Sequence, residues 1–79
     1  MGTRHYEALV DAFDSAGIPY QDLTEDLHLL CRQYRVPDRV RIGRVVEMDG
    51  EALFFFDGAG RCVGRGGKPE VGAFRPVGD

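Results

Sequence analysis

Seventy-nine residues make one small core and leave no room for a dinucleotide-binding fold, a TIM barrel or a two-domain enzyme. The chain is 43% hydrophobic and 29% charged, an ordinary globular mixture. Its net charge of −3 argues against nucleic-acid binding by overall charge, and no apolar run approaches the roughly 20 residues of a membrane span.

The N-terminal residues lack the apolar stretch of a secretory leader, and Gly2 has no Ser or Thr at position 6 for myristoylation. Cys31 and Cys62 stand far apart and read as free thiols of a reducing compartment, so the expected location is cytoplasmic. Arginine outnumbers lysine nine to one, the usage of a GC-rich bacterial or phage genome. Each arginine offers a planar fork suited to carboxylate or phosphate.

The first element is a helix over residues 3–16. Tyr6, Leu9, Val10 and Phe13 form one apolar stripe, with Thr3 as its N-cap. Gly17 suits a left-handed C′ position, Ile18 packs back on Phe13, and Pro19 ends the helix. Residues 18–21 read as an extended link. A second helix is predicted over residues 24–35, opened by capping-box spacing between Asp22 and Glu25 or by Thr24. Leu23, Leu27, Leu30, Cys31 and Tyr34 share its apolar face, and Pro37 closes it.

Beyond Pro37 the period falls to 2, predicting a strand over 39–48. Asp49-Gly50 marks a two-residue hairpin turn. Ala52 to Phe56 is a strand apolar on both sides, hence central, and Asp57 to Gly60 is a second turn. Arg61 to Gly64 is a third strand. The expected fold is α+β: two helices packed on one side of a three-stranded antiparallel meander. This single domain spans residues 1–64, and 65–79 form a Gly/Pro-rich, loosely ordered tail. A short fourth edge strand is expected at Val71–Phe74.

Charge is unevenly spread. Residues 1–30 hold six acids and one arginine, whereas 31–46 hold five arginines and one acid. Glu7, Asp11 and Asp14 line one side of the first helix; His28, Arg32 and Arg35 line one side of the second. With both helices on one sheet face, these stripes either meet as ion pairs or both point outward to partners.

Catalytic and metal patterns are weak. His28 and Cys31 have half the spacing of a zinc site, completed only if His5 and Cys62 come near. No nucleophile has an elbow or a donor loop, and the acids of residues 22–26 suit the opening of a helix. Gly64 to Lys68 fails as a phosphate loop, because Cys62 and Pro69 stand where Gly and Ser or Thr are needed. Arg61, Arg65, Lys68 and Arg75 remain able to contact phosphate. No catalytic residue, cofactor or metal is assigned.

The reading is a small non-catalytic protein-binding or dimerising module, an adaptor, inhibitor or regulator. Two helices on one face leave the other face apolar, so the partner-binding residues are Leu29, Phe54, Phe55 and Phe56, with Glu7, Asp11 and Asp14 on the helix edge. The partner is another protein or a second copy. The alternative is a nucleic-acid-binding domain using Arg32, Arg35, Arg39, Arg41 and Arg44 beside the phenylalanines.

Overall fold

The computed structural model describes residues 4–67 and 74–77. Helix α1 (Arg4–Ala16) leads into strand β1 (Tyr20–Asp22). A 3-10 turn (Thr24–Asp26) then runs into helix α2 (Leu27–Gln33). Strands β2 (Arg44–Met48), β3 (Ala52–Phe56), β4 (Cys62–Gly67) and β5 (Arg75–Pro76) complete an α+β fold. The five strands form one antiparallel sheet whose spatial order equals chain order.

Local chemistry explains the ends of these elements. Gly17 has φ +70°. Its N–H donates to Asp14 C=O at 3.3 Å, and Ile18 N–H to Phe13 C=O at 2.9 Å, a Schellman motif closing α1. The N-cap expected at Thr3 lies outside the described residues. α2 ends in the same motif, with Arg35 in the left-handed position (φ 57°) and Val36 N–H donating to Cys31 C=O. The predicted capping box does not form. Asp22 instead accepts from Thr24 N–H at 2.9 Å, and Thr24 Oγ accepts from Val45 N–H at 3.2 Å, tying the turn to β2. Asp49 and Gly50 both take positive φ, as a type I′ turn requires. Glu51 is one extra residue before the pair Met48 and Ala52.

The largest departure from expectation is the placement of the helices. Register puts Val45, Leu53 and Phe55 on one sheet face and Val46, Phe54 and Phe56 on the other. Leu23, Leu27, Leu30 and Tyr34 pack on the first set. Tyr6, Leu9, Phe13 and Ile18 pack on the second. Each helix therefore covers its own face, and among the described residues no sheet face is left open and apolar. β1 is the cause: this three-residue edge strand, expected to be a link, lets the chain arrive from one side and leave on the other. Phe55 and Phe56 are fully buried from within, and Phe54 is half-buried against Phe13 at 6.2 Å. Phe55 and Phe56 are core, which corrects their assignment to a partner surface and to base stacking; Phe54 packs half-buried beneath α1.

The strand predicted over 39–48 begins only at Arg44, because β3 offers no partner beyond Phe56. β4 runs past the expected boundary at Gly64 to Gly67. Residues 71–73 of the expected edge strand lie outside the described residues; the observed strand is Arg75–Pro76. Two glycines of β4 have a packing role. A Cβ on Gly64 would strike the Phe74 ring, and one on Gly66 the Tyr34 ring. Their bare backbone lets both rings lie against the sheet beside Phe55. Pro76 stands opposite Gly64, while Val77 N–H donates to Val63 C=O at 3.0 Å. Pro76 thus occupies a non-hydrogen-bonded position, where its missing N–H costs no ladder bond and blunts the outer edge.

Candidate functional site

With both sheet faces covered, the distinctive outer features are charged. α1 presents Glu7, Asp11 and Asp14, all exposed, on the side of the sheet away from α2. No described cation forms an ion pair with them. α2 and the link after it present Arg32, Arg35, Arg39 and Arg41, all exposed, with Asp38 the one acid among them. These also enter no ion pair among the described residues. The acidic and basic stripes therefore point away from each other. Leu29 lies on α2 and is 50% exposed.

Arg44 does not join the basic group. Its guanidinium donates to Asp22 Oδ2 at 2.9 Å and to Tyr6 Oη at 3.3 Å. It also lies 4.3 Å from the centre of the Tyr6 ring. The residue clamps α1 to β1 and β2, on the face opposite α2. Arg39 and Arg41 sit on irregular backbone rather than on the strand expected over 39–48, so Arg39, Arg41 and Arg44 do not line up along one strand.

Asp22 is perturbed by this cluster. Burial opposes its ionisation, but hydrogen bonds at Thr24 and the Arg44 charge outweigh it and hold the carboxyl below its ordinary value. In Asp57 the Arg61 backbone N–H is the main cause of a lowered value, helped by Ala59 N–H and the Arg61 charge against a burial effect. Both groups contribute stability that is present above the unfolded carboxylate value and lost as pH falls through the lower folded value. Asp22→Asn should therefore lose less melting temperature than wild type between about pH 4 and pH 2, read by circular dichroism.

Cys31 and Cys62 are free. They belong to opposite sides of the sheet: Cys31 on α2, Cys62 in the cluster beneath α1. Burial pushes both thiols up, which lowers the thiolate fraction available for nucleophilic attack at neutral pH. No group of three His, Cys, Asp or Glu side chains able to hold a metal occurs among the described residues. No helix there is long and apolar enough to cross a membrane.

A second cationic feature was visible in sequence only as scattered residues. Arg65 on β4 and Arg75 on β5 are direct cross-strand partners. They line a cleft of about 260 Å³ with Ala52, Gly66 and Gly67. Alternation along a strand gives the face of Arg65, but its partner depends on β5, which the sequence pattern does not mark.

The fold and these features define an α+β protein with one helix on each side of a five-stranded antiparallel sheet. Comparison with known proteins finds no matching family model, no matching curated protein and no matching solved structure.

Proposed function

We propose that the chain is a small, non-catalytic, cytoplasmic protein-binding module that associates with copies of itself. The acidic outer side of α1 on one copy meets the basic α2 and link of the next. The observation carrying this reading is the placement of the helices on opposite sheet faces, which leaves two complementary stripes without an ion-pair partner among the described residues. Leu29 adds an exposed apolar side chain on α2. Such a contact is heterologous, so it builds rings or open chains rather than an isologous pair. The free cysteines support the cytoplasmic placement.

Light scattering tests the reading. Mass should rise with concentration in about 50 mM salt and return to the monomer value near 500 mM, where charge is screened within a few ångströms. The variants Asp11→Lys/Asp14→Lys and Arg32→Glu/Arg35→Glu should each remain monomeric. Their mixture should associate again, because the altered stripes are once more complementary. A wild-type chain that stays monomeric at millimolar concentration in low salt overturns the proposal.

One observation favours a second reading, nucleic-acid binding: Arg32, Arg35, Arg39 and Arg41 are exposed within ten residues of each other. Arg44 takes no part, since Asp22 and Tyr6 hold it. This reading requires salt-sensitive binding of a single-stranded oligonucleotide that weakens in Arg39→Gln/Arg41→Gln. Absence of binding in low salt disposes of it.

A further inference from the structure

We propose that Arg65 and Arg75 form a binding site for a small dianionic phosphate, free or as a monoester. The two residues face each other across β4 and β5 and so project from the same side of the sheet. The bond from Val77 to Val63 fixes the ladder phase. The Arg65–Arg75 pair is then a hydrogen-bonded position, with Cα atoms about 5.5 Å apart. Like charges directly opposed are unfavourable in a sheet, and β5 is only two residues long.

No close acid in their own cross-strand row compensates them. One cross-strand row on this face reads Asp22, Val46, Phe54, Arg65, Arg75. Its only acid stands three strands from Arg65, about 14 Å at ordinary strand spacing, and already holds Arg44. Neither arginine forms an ion pair among the described residues. Beside them the cleft stays open because Ala52 and Gly67, its lining residues on the same sheet face, are small; Gly66 lines it with backbone alone.

The missing partner is therefore an anion. Two guanidinium forks carry two charges and offer parallel N–H pairs. A carboxylate neutralises only one. A phosphate or phosphate monoester carries about −1.5 to −2 at neutral pH and has three acceptor oxygens, enough for both forks. The site shares a sheet face with α1, but neither arginine lies on a helix or in the link after α2, the elements proposed to self-associate.

Nuclear magnetic resonance on the full chain tests it, at matched ionic strength in chloride, with inorganic phosphate, O-phosphoserine and the monoanionic diester dimethyl phosphate as probes. Saturable shifts are expected at the Gly66 and Gly67 amides and both arginine Nε–H groups. The diester should bind at least ten-fold more weakly, and Arg65→Gln or Arg75→Gln should weaken phosphate at least ten-fold. The tighter of phosphate and phosphoserine tells the free ion from the ester. Phosphate should raise the melting temperature of wild type alone, and each Gln variant should melt no lower than wild type in chloride, since repulsion is relieved. Shifts that never saturate, shifts that persist in Arg65→Gln/Arg75→Gln, or Gln variants that melt lower in chloride would overturn the proposal.

Discussion

Phe55→Ala is expected to leave the chain largely unfolded at room temperature. Phe55 is 0% exposed and central in both directions. It pairs with Val45 on one side and Gly64 on the other. Its ring meets Tyr34 edge-on at 5.7 Å and Phe74 at 5.3 Å. Truncating a buried phenylalanine costs about 3–5 kcal/mol in transfer and cavity terms. A core of this size supplies about the same amount in total. Urea titration followed by far-UV circular dichroism checks the result, and Phe55→Leu, which keeps most of the volume, should retain a cooperative transition.

Gly66→Ala should destabilise by about 1–3 kcal/mol, the ordinary range for overpacking. The added Cβ would lie 2.5 Å from Tyr34 Cδ2 and 2.6 Å from Cε2. Tyr34 cannot yield easily: it is 1% exposed, and its hydroxyl donates to Gly67 C=O at 3.3 Å. Gly67→Ala, one residue along the same strand, meets nothing within 4 Å. It should be neutral, or gain about 0.4–1 kcal/mol from a stiffer unfolded chain. Introducing Tyr34→Leu beside Gly66→Ala should remove most of the penalty, so a double-mutant cycle isolates the clash. Equal melting temperatures for Gly66→Ala and Gly67→Ala would refute this account of Gly66.

What the sequence revealed divides along a physical line. The end of α1 was legible because Gly17, Ile18 and Pro19 each do a local job there. The limits of β3 and the Asp49-Gly50 turn were legible for the same reason. β1 was not, because all three of its residues are exposed and its strand form comes from pairing with Met48, Glu47 and Val46. Missing β1 hid the crossing from one sheet face to the other. The two-sided apolar character of β3 was then assigned to an absent partner, when each side already had its own helix. Exposure of Glu7, Asp11 and Asp14 was readable from helical spacing, but whether they meet the arginines depended on that long-range choice. The Arg65–Arg75 pair was hidden by the same rule, since a two-residue strand carries no period.

Spatial order matching chain order also bears on how fast the molecule assembles. Only residues 49–51 and 57–61 separate the central strands, so closing those loops costs little entropy. Hairpins of this kind form in about 1–10 μs. Strand β1 must wait for residues 23–43, including α2, to close against β2. The central three strands are therefore the natural nucleus, and destabilising substitutions in β1 should speed unfolding while leaving the refolding rate nearly unchanged.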